Sequence, residues 1–220
     1  MINLEKGQRI NLEKSDKSKM SNFCVGCNWG AIKKSSLFGL LSESKDVDLD
    51  LSCIMLDANG KMADHVYSPL YRLEFLSKYG MPQGKLDSRD GAFHHTGDDL
   101  KGDAGAVDDE MDNEIIKVDL NKVSANIEQI FFFLNNVGDE DFSMIPYASI
   151  RMFEGTLSKV TNVYAKYNVS KEPQFAGKRA LIMGKLYRKN GEWKFAAIGD
   201  AHTDRNICET IIRILNNYAN

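Results

Sequence analysis

Eight acidic side chains crowd into residues 98–114, "DDLKGDAGAVDDEMDNE", with Lys101 the one basic residue among them. The stretch carries a net charge of −7 in a chain whose formal total is −3, so the rest is net positive and the acidity is local. Packed carboxylates repel one another unless they are neutralised or solvated. Two answers satisfy that requirement: bulk water around an irregular loop, or a hard cation. Calcium takes roughly six to eight oxygen ligands, mostly carboxylates and carbonyls on loops. Asp98, Asp99, Asp103, Asp108, Asp109, Asp112 and Glu114 supply carboxylates, and Gly97, Gly102 and Gly105 let the backbone turn its carbonyls inward. Aspartate outnumbers glutamate six to two, which suits a compact cage. An EF-hand is excluded. Counting Asp99 as position 1 puts Glu110 at position 12, but Lys101 falls at position 3 and Ala104 where glycine is required.

A second acidic feature stands in "VDLDLSCIMLD". Asp48 and Asp50 are two residues apart on one strand face, so their side chains point the same way, roughly 7 Å apart. Such a pair either lines a solvated outer face or completes a metal site begun by a loop. His94 and His95 lie just before the acidic stretch and offer a base for the alternative chemistry, metal-dependent phosphoester hydrolysis. Their plainer role is a strand-end pair, one buried and hydrogen-bonded, one exposed. No GxSxG, HExxH or Walker motif is present, and no glycine-rich phosphate cradle precedes a helix. Cys24 and Cys27 form a CxxC, yet no second ligand pair at zinc spacing exists and the glycine that follows argues against a redox helix. They read as ordinary strand cysteines.

Short strands separated by turn signals must position these groups. Val47, Leu49, Leu51, Cys53 and Met55 alternate with polar residues, the mark of a half-buried strand. "DANG" leads into a hairpin, and "KNGE" is a second hairpin signal. "IEQIFFFLNN" carries a continuous apolar run, which predicts a strand buried on both faces. "SPLYRLEFLSKYG" predicts a short helix with Ser68 as N-cap, Pro69 at its first position and Gly80 as terminator. The last segment predicts a helix over about 203–218, capped by Thr203, with Ile207, Ile211, Ile214, Leu215 and Tyr218 on one stripe. About nine or ten strands with one or two peripheral helices give an all-β, two-sheet sandwich, read as one domain over residues 1–220.

Composition is that of a globular protein: 43% hydrophobic and 27% charged residues. The scattered positive remainder predicts no nucleic-acid partner. No secretory signal and no transmembrane segment is read, and four scattered cysteines fit reduced thiols, so the expected location is the cytoplasm.

"VGCNWG", "VDLDLSCIMLD", "DGAFHHTGDDLKGDAG", "IPYASIRMFEG" and "GKLYRKNGEWKFAAIGD" occur in this order over nearly the whole chain. Together they resemble the TerD family of tellurite-resistance and chemical-stress proteins, in particular its TerZ/TerX-like branch. The resemblance implies a β-sandwich that binds calcium, two ions close together, with no catalytic activity. It also implies partner stress-resistance proteins at the inner membrane. Asp48 and Asp50 match the family's aspartate pair, and Asp98, Asp99, Gly102, Asp103, Asp108 and Asp109 its glycine–aspartate loop. Lys101 stands where the family often has a small polar residue; a backbone carbonyl ligand would survive that change.

Overall fold

The computed structural model describes residues 2–3, 7–13, 18–34, 43–104, 109–170 and 173–219. Strands run in chain order as β1 (Ile2–Asn3), β2 (Arg9–Asn11), β3 (Asn22–Trp29), β4 (Ile32–Lys34), β5 (Glu43–Lys45), β6 (Leu49–Leu56) and β7 (Met62–Val66). They continue as β8 (Phe93–His95), β9 (Glu114–Asp119), β10 (Gln129–Asn136), β11 (Ala148–Thr156), β12 (Lys159–Asn168), β13 (Ala180–Lys189) and β14 (Glu192–His202). Helix α1 covers Leu73–Ser77 and α2 covers Ile207–Asn217. Two six-stranded sheets face each other, ordered β1-β12-β11-β3-β9-β8 and β2-β14-β13-β10-β6-β7, with β4 and β5 forming a separate ribbon. Every pairing is antiparallel except that of β1 with β12. The strands beyond the nine or ten expected are short ones of two or three residues, such as β1, β4, β5 and β8.

The main core lies between the sheets. Phe23, Val25, Cys27 and Trp29 of β3 meet Leu49, Leu51, Cys53 and Met55 of β6 and Ile130, Phe132 and Leu134 of β10 there. Alternation sends the intervening residues to the outer faces. On the second sheet that outer face is also dry: Ile54, Leu56, Phe131 and Phe133 pack under Ile207, Ile211 and Ile214 of α2 and Leu76 of α1. β10 is therefore buried on both faces, as its apolar run predicts. β6, expected to be half-buried, is buried at all eight positions: the helices cover Ile54 and Leu56, and Tyr71, Asp98 and Glu114 gather at Asp50. Cys24 joins Ile115 and Phe153 on the outer face of the first sheet, while Cys27 points into the main core. The two thiols of the CxxC are thus separated by the sheet, and all four cysteines are free and buried.

Both hairpin signals form. Asn190 and Gly191 take φ of 54° and 78° between β13 and β14, the double positive φ of a type I′ turn. Gly60, at φ 71°, closes the β6–β7 turn. The helices start later than the pattern suggests. Ser68 Oγ accepts from the Leu70 N–H in a local turn, and α1 begins only after Arg72. Gly80, at φ 70°, ends that segment as expected. α2 is capped by Asn206, whose Oδ1 accepts from the Glu209 N–H at 3.1 Å, not by Thr203. Asp204, upstream of the cap, instead holds Arg213 at 2.6 Å and so ties the segment before the helix to its second turn. Asn206→Ala should cost about 1 kcal/mol, read as a lower urea midpoint with an unchanged slope, whereas Thr203→Ala should not act through the cap.

Candidate metal centre

The site grows from a strand that outruns its neighbour. β7 pairs with β6 only from Cys53 to Leu56, so the stretch around Leu51 has no strand partner on that side among the described residues. Its backbone groups still need partners, and side chains of the first sheet supply them. Glu114 Oε2 accepts from the Leu51 N–H at 2.8 Å, and His95 Nε2 donates to the Leu51 carbonyl at 3.1 Å. His95 Nδ1 accepts from the Gly97 N–H at 2.9 Å, which fixes the neutral, Nε2-protonated tautomer. The same Nε2 lies 3.4 Å from Glu114 Oε2. The other carboxylate oxygen, Oε1, accepts from the Asp99 N–H at 3.0 Å. One fully buried glutamate at the start of β9 thereby joins the edge of β6 to the acidic loop.

Two further carboxylates converge on it. Asp98 Oδ2 accepts from Ser68 Oγ at 2.6 Å, and Asp50 accepts from the Tyr71 hydroxyl. Carboxylate oxygens of Asp50, Asp98 and Glu114 all lie within 4.8 Å of one another. Asp48 Oδ1 and Asp98 Oδ1 are buried without a hydrogen-bond partner. Burial, then the charges of Glu114, Asp98 and Asp99, push the Asp48 carboxyl up to about 6. Burial and then Glu114 and Asp48 push Asp50 well above the carboxylate range, against the Tyr71 hydrogen bond. Burial raises Glu114 too, opposed by His95 and the two N–H donors.

The other sequence-predicted residues divide. Asp99 shapes the loop: Oδ1 accepts from the N–H groups of Lys101 and Gly102, at 2.9 and 3.0 Å. Asn113 Nδ2 bridges Asp99 Oδ2 and Asp103 Oδ1 at 3.2 and 3.0 Å. Asp103 Oδ2 is taken by the Tyr147 hydroxyl at 2.7 Å, and its backbone pairs with Trp29 and Ala31, which pins the loop to the end of β3. Gly102, at φ 70°, lies against Trp29, where a Cβ would sit 2.5 Å from the indole; its part is steric. The Lys101 carbonyl accepts from the Val47 N–H at 3.1 Å. Asp112 is not with the cluster. It receives both carboxylate contacts from Arg151 Nε, at 3.0 and 3.1 Å, over Gly26 on the outer face of the first sheet. Its charge is already answered by a buried guanidinium, so it needs no metal. Asp109 Oδ1 accepts from the Met111 N–H at 2.8 Å. Asp108 lies outside the described residues. His94 is exposed and turns to Asp87 at 2.7 Å.

Ser68, Tyr71, Asn113 and Tyr147 belong to the site and were not legible as such. Hydroxyl and amide partners carry no charge pattern, and Ser68 and Tyr71 sit in a segment whose strongest signal is helical. The arrangement fits a hard cation: three convergent carboxylates from separate segments, two orphaned buried oxygens, and no cation among the residues named as touching them.

Without metal, Asp48 binds its proton more tightly folded than unfolded. The associated stabilisation is complete below the ordinary value of 3.8 and is lost as pH rises through about 6. Metal-free protein should therefore melt at a lower temperature at pH 7 than at pH 5, and Asp48→Asn should flatten that fall. Calorimetric melts across this range check it; an Asp48→Asn curve parallel to that of the unsubstituted protein removes Asp48 as the cause.

Comparison with known proteins agrees with this architecture. The TerD domain model matches residues 1–210. Stress response protein SCP2 of Bacillus subtilis (strain 168) is 37% identical over 221 residues, spanning 96% of this chain and 98% of that protein. Tellurium resistance protein TerZ of Serratia marcescens is 30% identical over 208 residues, 94% of this chain and 93% of that one. A solved structure, a homologue of telluride resistance protein (TerD) from Streptomyces coelicolor A3(2), superposes with a TM-score of 0.62 at 12% identity, over 91% of this chain and 98% of that chain. That last likeness concerns the fold alone. A family model matched nearly end to end and relatives aligned over almost their whole lengths establish that this chain belongs to the TerD domain family.

Proposed function

We propose that the chain is a calcium-binding stress-response protein, acting in resistance to tellurium compounds and other chemical stress through partner proteins. Its expected location is the cytoplasm at the inner membrane. The relatives named for stress response and tellurium resistance support the biological setting. The observation that carries the calcium reading is the buried convergence of Asp50, Asp98 and Glu114, with unpartnered oxygens on Asp48 and Asp98. These residues, with Asp99 beside them, would hold the ion, and a neighbouring second ion would draw on Asp48. Bound calcium supplies the positive charge that lets the group stay ionised at neutral pH. The chain's part is to bring oxygens from β6, the loop and β9 to one place, and to keep water from the Leu51 edge. Both ring nitrogens of His95 are engaged, so this histidine is not free to serve the hydrolytic alternative as a base, and His94 is exposed with its Nδ1 turned to Asp87.

Calcium should raise the melting temperature, and magnesium should do so less, because it demands octahedral geometry and keeps its waters. Asp98→Asn should weaken calcium binding roughly tenfold or more, since affinity follows the ligand charge count. A calorimetric titration without heat up to about millimolar calcium, the range in which even weak extracellular-type sites bind, ends this proposal. Asp112→Ala separates scaffold from site. It should cost about 3 kcal/mol by stranding Arg151, while the shift in melting temperature produced by calcium stays as it is.

A further inference from the structure

A second like-charged cluster stands at the opposite end of the second sheet, and it is basic. On the outer face of the second sheet, beyond the end of α2, a 240 Å³ pocket is lined by Arg9, Gln129, Lys185, Tyr187, Lys189 and Ala196. The register builds it. Arg9 of β2 stands opposite Ala196 of β14, which stands opposite Lys185 of β13. Each strand step is about 4.8 Å, so two cations flank a methyl-sized floor. Lys185, Tyr187 and Lys189 are alternate residues of β13 and share that face. Among the described residues, none that lines the pocket carries a carboxylate. Glu192, the cross-strand partner of Lys189, is taken up by Lys19 at 2.8 Å and Lys194 at 3.2 Å.

Lys185 is the anchored member. Its ammonium donates to Gln129 Oε1 at 2.8 Å and to the Tyr218 carbonyl at 2.9 Å, and it lies 5.2 Å from the centre of the Phe131 ring. Three donors are available to a lysine, so one is left for the pocket. Burial, and then the facing charge of Arg9, hold this ammonium below its ordinary range.

We propose that this pocket is an oxyanion site for a phosphate monoester, with Lys185 as a fixed point charge, Arg9 as a planar two-pronged donor and Lys189 closing the rim. A guanidinium matches two phosphate oxygens at once, and the buried side of the site favours charge-assisted hydrogen bonds over hydration. The volume holds a phosphate group with room for the first atoms of its ester, while the Tyr187 ring offers an apolar wall. The site shares no residue with the acidic centre and does not depend on it.

The test uses the full chain in calcium-free buffer, so that calcium phosphate cannot form. Inorganic phosphate is titrated calorimetrically at fixed ionic strength, beside chloride as control, and phosphatidic acid in phosphatidylcholine vesicles is tested by co-sedimentation. The comparison protein is the double variant Arg9→Gln, Lys189→Gln, which leaves the Lys185 hydrogen bonds in place; its circular dichroism and melting temperature confirm folding. Saturable phosphate binding that weakens at least about tenfold in the variant is the expected result. Vesicle binding lost in the same variant also supports the site and makes a lipid headgroup the source. Absence of both, equal effects of chloride and phosphate, or undiminished binding by the variant overturns the proposal.

Discussion

A strand that ends short leaves backbone groups exposed inside a protein, and here a glutamate answers for them. Glu114 is fully buried, yet both its oxygens are engaged, one by the Leu51 N–H and one by the Asp99 N–H. Those contacts join three separate parts of the chain. They seal the open side of β6, fix where the acidic loop leaves the sandwich, and hold the start of β9 over the core. The cost is a negative charge in a dry place, which helps to raise the carboxyls of Asp48 and Asp50. The loop, Ser68 and Tyr71 are arranged around that cost. The site is therefore part of how the two sheets are held together.

Much of the frame was legible from residue order. Period-two alternation placed Leu49, Leu51, Cys53 and Met55 on the core side, and the unbroken apolar run of β10 announced burial on both faces. Turn chemistry found both hairpins, because positive φ narrows the choice of residue sharply. Burial of the polar-looking face of β6 was not legible, since it depends on α2, Tyr71 and the acidic loop coming to it from far along the chain. The helix starts were misplaced for a local reason. Ser68 and Thr203 both look like caps, but the Ser68 hydroxyl spends itself on Asp98 and a tight turn, and Asn206 stands nearer the first turn of α2.

The acidic cluster was half legible. Charge density marked the loop, and strand alternation marked Asp48 and Asp50. Spacing alone could not show that Asp112 leaves the group, because its partner Arg151 is 39 residues downstream on another strand. Nor could it show that Asp103 bonds Tyr147 and Asn113 and so serves the loop's attachment more than its centre. Counting carboxylates overstates a site when some of them already have cations or hydroxyls of their own.

Trp29 gives this arrangement an optical handle. Its indole N–H is bonded to the Val47 carbonyl at 2.7 Å, just ahead of Asp48, and its ring abuts Gly102 of the loop. The only other tryptophan, Trp193, sits beside the β13–β14 turn, stacked on Arg188. A rearrangement of the loop alters the surroundings of one buried fluorophore and leaves the second as an internal standard, so intrinsic emission follows this end of the molecule without any added dye.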